Sequence, residues 1–260
     1  MMSTRVVTIG SKSGGSGKTS TAVSVAAIWA ATGYKVLLVD GDGQANATTW
    51  CGVTPEHTTG DVLLRQAMIR DAIVPCKFGF DVLGASQDLT AQTVMLAAVT
   101  GSEQRFQMAL AAVRDDYDAV IIDCPGALES RVTVAAIVAA SAAVSVFVPT
   151  SKEVNGVTSF ADLVTDVAEA YKPDLRMVGV VPCRVPAANA GGEYKDVMAK
   201  AVDPAGPWSG LLTPPVRASV VVPASFGAGV PVPVWRPRSA VAKDYEQVAA
   251  VLAVSVGLHD

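Results

Sequence analysis

Short aliphatic and β-branched runs recur along the chain at Arg5–Ile9, Val36–Val39, Phe80–Leu83, Ala119–Ile122, Ala143–Val148 and Met177–Val181. Stretches with helical spacing lie between them. Thr19 to Ala31 is rich in alanine and closes at Gly33, a residue suited to a left-handed helix C-cap. Ser102–Arg114 sets Phe106, Leu110 and Val113 on one face, and Val157–Ala170 turns Leu163 and Val167 inward. Strands that are apolar throughout, alternating with helices, predict an α/β fold: a doubly wound, mostly parallel sheet with helices on both faces. From Asp203 to Pro237, proline and glycine break regular structure, which predicts loops or short edge strands before a last helix from about Ser239 to Val254. With 260 residues, half of them apolar, and no internal repeat, the expectation is one domain over residues 1–260.

Chemistry enters directly after the first strand. The run Ser11-Lys12-Ser13-Gly14-Gly15-Ser16-Gly17-Lys18-Thr19 stands between an apolar strand and a helix, the context of a phosphate-binding loop. Glycines let successive backbone N–H groups turn toward phosphates, and the helix N-terminus adds positive potential. The loop from Gly14, Gly15, Ser16 and Gly17 to Lys18, Thr19 and Ser20 is therefore expected to bind a nucleoside triphosphate. Lys18 would reach the β- and γ-phosphates, and the Thr19 hydroxyl would serve Mg²⁺.

Two further elements are acidic. Val39-Asp40-Gly41-Asp42-Gly43-Gln44 carries two carboxylates at the carboxyl end of the second strand, where ligands bind in doubly wound sheets. A carboxylate there can hold a water in line with the γ-phosphate or stand behind the metal. The strand Ala119–Ile122 ends in Asp123, the position of a carboxylate serving Mg²⁺. Each acidic element alone fits a polar turn. Their order after the phosphate loop gives them meaning.

The net charge of −4 confines any nucleic-acid contact to one face. Cys51, Cys76, Cys124 and Cys183 are far apart and form no CxxC, so buried free thiols in a reducing compartment are expected rather than a metal or iron–sulfur site. No run is apolar and long enough to span a bilayer, and the N-terminus enters a strand at once, which points to a cytoplasmic protein.

The three elements together resemble the ParA/MinD family of deviant Walker ATPases, and ParA-type partition proteins in particular, over nearly the whole chain. GGSGKTSTA resembles the family's phosphate loop, VDGDGQANATT its VDxDPQGNAT segment, and YDAVIIDCPGAL its YDxIIIDxPP segment. Phe80–Ala85 is similar to the stretch before the family's third core helix, and Ala228–Val232 resembles its AGxPV turn. The resemblance implies that Asp42 is the aspartate needed for hydrolysis, Asp40 a supporting carboxylate and Asp123 the Walker B residue. It further implies ATP and Mg²⁺ as cofactors and an ATP-bound homodimer. That dimer would bind nonspecific DNA, associate with the nucleoid, and be discharged by a ParB-like or adaptor activator. The cargo would be a plasmid, phage or chromosomal DNA, or a protein microcompartment.

The sequence also departs from the pattern. The slot of the family's signature lysine holds Ser13, with Lys12 one place too early. Some relatives that space carboxysomes share the serine and use a lysine beyond a later strand. Lys152 resembles that residue and is preferred to Lys12 as the cation that offsets paired triphosphates. Gly43 and Gly126 replace family prolines, and Cys183 stands where an adenine-reading asparagine is expected. Arg217, Arg236 and Arg238 are the candidate DNA contacts, with Lys243 and Arg184 as possible neighbours. Two other classes compete. A membrane-bound MinD-like ATPase would need a basic amphipathic C-terminal helix, but Tyr245–Asp260 has no lysine or arginine. A metabolic P-loop enzyme or cluster carrier is disfavoured by the unpaired cysteines.

Overall fold

Every residue of Val36–Asp40 and Ala119–Asp123 is buried, so these strands carry no polar alternation. The computed structural model describes residues 4–186, 193–201 and 208–258. Its sheet has seven strands: β1 (Arg5–Gly10), β2 (Val36–Asp40), β3 (Ile73–Pro75), β4 (Asp81–Leu83), β5 (Ala119–Asp123), β6 (Ala142–Phe147) and β7 (Arg176–Pro182). They lie in the order β3-β4-β2-β5-β1-β6-β7, all parallel except β3, which runs antiparallel to β4. The doubly wound, mostly parallel α/β architecture is therefore the one the alternating pattern predicts.

The period of two along each strand divides the core. Val36 and Leu38 of β2, with Ala119 and Ile121 of β5, join one apolar cluster, whereas Leu37, Val39, Val120 and Ile122 join the other. The first cluster is closed by the helices Lys18–Ala31 and Ala240–Val256, which pack on each other and contribute Trp29, Val248 and Leu252 to it. The Trp29 indole N–H also donates to the Ala249 carbonyl at 3.0 Å. Ser239 caps the second of these helices by accepting from Ala242 N–H, and Gly257, with φ 76°, ends it.

Three elements differ from the sequence expectation. The segment Ser102–Arg114, expected as one helix, is a 3₁₀ turn, Ser102–Gln104, followed by a short helix, Arg105–Leu110. Phe106, Leu110 and Val113 are buried as the spacing requires. Asp115 and Asp116, however, oppose the negative end of a longer helix, and Arg70 takes the Ala112 carbonyl at 2.6 Å and Asp116 at 2.8 Å. No sequence signal marks the edge strand β3, because it is three residues long and ends in Pro75, a residue tolerated only at an edge. The proline-rich stretch forms two short helices, Val221–Gly227 and Val232–Trp235, with isolated bridges at Leu212 and Arg217; residues 203–207 of it lie outside the described residues. Pro223 and Pro233 occupy first-turn positions, where the missing N–H would have no helical partner in any case.

The long helix Ser151–Tyr171 contains the predicted Val157–Ala170, with Val167 buried and Leu163 half-buried. Its Phe160 ring fills the space beside Gly10, where a Cβ would stand 2.2 Å from the ring. Gly10 is thus the contact between the strand that launches the phosphate loop and the helix that carries Lys152. Gly10→Ala is expected to destabilise the protein by about 1–3 kcal/mol through overpacking, seen as a lower urea midpoint at unchanged m-value. An unshifted midpoint would mean that the helix yields freely at this contact.

Candidate nucleotide site

Parallel strands bring the chemistry to one edge. β1, β2 and β5 end together, with Ile9 and Asp40 both in register with Asp123. The loop after β1 turns through Gly15 (φ 75°) and Gly17 (φ 105°), conformations that a Cβ would strain. Gly17 is also the N-cap of Lys18–Ala31 and makes no side-chain cap, so the first N–H groups of that helix face the loop. The buried Lys18 lays its ammonium on the Ser13 carbonyl at 3.0 Å, and the Ser20 hydroxyl bonds the Gly17 carbonyl at 2.9 Å.

Asp40 and Asp123 are both fully buried, yet they are treated differently. Asp40 accepts from the Thr48 hydroxyl at 2.7 Å, the Thr48 N–H at 2.8 Å and the Asp42 N–H at 3.1 Å. Burial still raises its pKa to about 6, against those donors. The side chain expected to support the metal thus acts first as the anchor of the segment that carries Asp42. Neither oxygen of Asp123 meets a donor in hydrogen-bonding geometry among the described residues. Burial, and then the charge of Asp40, push Asp123 up to about 8, opposed by the Thr19 hydroxyl and the Lys18 ammonium. A buried carboxylate without a donor, beside a hydroxyl, fits a divalent cation and its waters. Asp42 is half-buried, accepts from Gln44 N–H at 3.0 Å, and lies at the wall of the same cavity.

That cavity holds about 810 Å³. Its polar wall is the phosphate loop. Its apolar wall is Trp50, Val216, Val222, Phe226 and Tyr245, none of which the sequence pattern marks. Trp50 meets Phe226 edge-on at 5.3 Å and donates its indole N–H to the Val230 carbonyl at 3.0 Å. Cys183, in the slot of the expected asparagine, packs beneath the loop: a Cβ on Gly17 would come within 3.1 Å of it, and its sulfur lies 3.6 Å from the Thr21 hydroxyl. Burial pushes the Cys183 thiol up to about 12, so it is a neutral packing group.

The replaced prolines have local reasons. A Cβ at Gly126 would stand 3.3 Å from Gly14 N, and one at Gly43 only 2.4 Å from the Thr90 hydroxyl oxygen. Both loops therefore approach their neighbours more closely than a larger residue allows.

The predicted cations separate into three places. Arg184, with φ 55°, reaches back to the Gly15 carbonyl at 3.1 Å and so belongs to the nucleotide site. Arg217 also lines the cavity, and its guanidinium forks onto Asp244 at 2.6 and 2.7 Å. Its donors are therefore largely committed within the chain. Lys12 and Lys152 are exposed and lie outside the cavity wall. Lys12 rests on Gly156 and points to the Ser159 hydroxyl at 3.5 Å, while Lys152 stands in the first turn of the same helix. Arg236 lies over the Trp235 ring at 5.5 Å, and it and Arg238 are exposed beyond Val232–Trp235.

Comparison with known proteins agrees with this site. The model of an AAA domain family matches residues 4–177. Over 206 residues the chain is 37% identical to the chromosome partitioning protein ParA of Caulobacter vibrioides, covering 75% of this chain and 76% of that protein. Among solved structures, cobyrinic acid a,c-diamide synthase from Mycobacterium smegmatis, with bound ATP analogue and magnesium, matches at TM-score 0.81 and 28% identity over 96% of this chain and 94% of that one. Apo McdA of Cyanothece matches at TM-score 0.84 and 22% identity, over 96% and 99%, a likeness of fold alone. With its phosphate loop, its two strand-end carboxylates and these relatives, the chain belongs to the ParA/MinD family of P-loop ATPases.

Proposed function

We propose that this protein is a ParA-type positioning ATPase that dimerises on ATP and Mg²⁺, binds DNA of any sequence in that state, and is reset when an activator stimulates hydrolysis. The observation that carries the reading is the buried Asp123 carboxylate, which meets no donor in hydrogen-bonding geometry among the described residues and lies beside Thr19 and Lys18, two residues of the phosphate loop that lines a nucleotide-sized cavity. Thr19 and Asp123 would hold Mg²⁺, which supplies charge neutralisation between phosphate oxygens. Lys18 moves from the Ser13 carbonyl to the phosphates, and the loop N–H groups complete the cradle. Asp42 orients the attacking water, held in place by the Asp40 anchor behind it. Lys152, exposed at the start of its helix, is the better placed cation to reach a partner's triphosphate, since Lys12 lies along Gly156.

The membrane reading has no support in the C-terminal helix, whose Tyr245, Val248 and Leu252 are buried in the core. Among the described residues, no helix is long and apolar enough to cross a membrane. DNA contact falls to Arg236 and Arg238, with Arg217 held by Asp244. Dimerisation doubles this small basic face, so two weak half-sites become one bivalent site at the nucleoid.

Lys18→Ala is expected to abolish ATP binding and dimerisation together. Asp42→Ala is expected to keep the ATP-dependent dimer and slow turnover by ~10²-fold or more, as for loss of a water-positioning group. Light scattering with ATP separates them, and a monomeric Asp42→Ala protein would make that residue structural.

The raised pKa of Asp123 has a signed consequence. The folded, nucleotide-free protein holds this proton up to about pH 8, whereas the unfolded chain releases it near 3.8, the ordinary aspartate value. Stability therefore falls as pH rises through that window. Asp123→Asn is expected to flatten the loss and to stabilise the nucleotide-free protein above pH 8 by on the order of 1–3 kcal/mol, while weakening Mg²⁺-dependent nucleotide binding. Thermal melts at pH 6 and 8.5 with and without Mg²⁺ and ATP read both effects; a wild-type-like profile would remove Asp123 from the metal site.

For DNA, the double variant Arg236→Ala/Arg238→Ala is expected to weaken binding to two unrelated duplexes alike. The salt slope should become shallower by about one unit for every phosphate that each copy no longer neutralises. Arg217→Ala should alter nucleotide affinity more than DNA affinity. Fluorescence anisotropy decides, and tight binding by the double variant would move the DNA face elsewhere.

A further inference from the structure

Two of the four buried cysteines face each other. Cys51 is the last residue of the helix Asn46–Cys51, which follows the Asp42 segment, and Cys76 opens the turn between β3 and β4. The Cys76 thiol donates to the Cys51 carbonyl at 3.5 Å, which sets its sulfur beside Cys51, and the two thiols are near enough to shift each other's titration in opposite directions. Both belong to one apolar cluster with Trp50, Phe80 and Val82. They are 25 positions apart in sequence, so their meeting is a product of the fold.

From this juxtaposition we propose that Cys51 and Cys76 form a reversible disulfide, driven by hydrogen peroxide, that adjusts the nucleotide site through Trp50. Cys76 is the attacking sulfur. It lies on an edge hairpin, where local opening is easiest, and the neighbouring Cys51 thiol and the Lys77 ammonium both favour its thiolate. Cys51 is pushed the other way by the neighbouring Cys76 thiol and by burial, which suits it to remain the thiol that resolves. The other two cysteines have no thiol partner among the described residues, and burial raises both.

The chemistry balances. The Cys76 thiolate attacks one peroxide oxygen, the O–O bond breaks, and hydroxide leaves to become water, giving a sulfenic acid. The Cys51 sulfur then displaces the sulfenic oxygen as a second water, the Cys51 proton going to that oxygen. Two thiols are oxidised by two electrons, one peroxide is reduced to two waters, and a thiol reductant reverses the bond.

The bond would fasten the helix Asn46–Cys51 to the sheet edge. Trp50, one residue before Cys51, lines the cavity, and the same stretch of chain holds Thr59, whose hydroxyl bonds the Asp40 carbonyl at 2.7 Å. Drawing Cys51 toward Cys76 pulls Trp50 from the nucleotide wall. Oxidation should therefore weaken binding of ATP with Mg²⁺.

The full chain treated with peroxide is expected to lose two of its four titratable thiols. A non-reducing tryptic digest should contain residues 36–65 joined to residues 71–77, less two hydrogens. Affinity for ATP with Mg²⁺ should fall at least about threefold and return with a thiol reductant. Cys76→Ser should bind ATP like the reduced protein and ignore peroxide. Sulfinate at Cys76 without the linked peptide would overturn the proposal, as would a linked peptide with unchanged affinity. The digest uses the wild-type chain and stands even if a variant folds poorly.

Discussion

Two carboxylates are buried side by side where β2 and β5 end, and the rest of the site is arranged around the cost of keeping them there. Adjacent parallel strands in register leave Asp40 and Asp123 as neighbours with little solvent to screen them. The chain resolves this asymmetrically. Asp40 receives three donors and becomes part of the scaffold, fixing the turn that displays Asp42. Asp123 meets none in hydrogen-bonding geometry among the described residues and has only the Thr19 hydroxyl and the Lys18 ammonium near it, so it favours its protonated form. A proton satisfies it in the nucleotide-free protein, and a cation would take that proton's place when the site is filled.

Around that pair the molecule places its small residues. Gly10, Gly17, Gly41 and Gly126 each let another segment approach the loops to within van der Waals contact, and a Cβ at Gly41 would lie 2.9 Å from the Asp123 carbonyl. The same principle holds at Cys183, small enough to support Gly17 from beneath where a longer amide side chain would reach toward the ligand. The cavity wall opposite the phosphate loop is thus apolar, with polarity supplied at its rim by Arg184 and the Arg217–Asp244 pair.

The sheet and the phosphate loop are legible in the sequence because their signals are local: apolar runs at strand length, and glycines at positions that demand positive φ. Asp40, Asp42 and Asp123 are legible from their place at strand ends, but the division of roles between Asp40 and Asp123 is not. It depends on Thr48, brought to Asp40 by a later helix. The apolar wall is hidden for the same reason, since Trp50, Phe226 and Tyr245 are distant in sequence and meet only when the C-terminal helix docks. Arg217 reads as a free basic residue until Asp244 is seen beside it. β3 and the two short helices near Val221 and Val232 escape because three- to seven-residue elements carry too little periodicity to outweigh their prolines.

The contact between Gly43 and Thr90 has a consequence on the evolutionary scale. Because the space for a Cβ at position 43 is taken by the hydroxyl oxygen and the backbone of Thr90, the two positions form one unit of change. A proline introduced at 43 would be harmful in this background and acceptable only after residue 90 and its loop had moved. The order of substitutions is therefore constrained. A larger residue at 43 is thus tied to a change at 90 by sterics alone, without any change in the chemistry at Asp42.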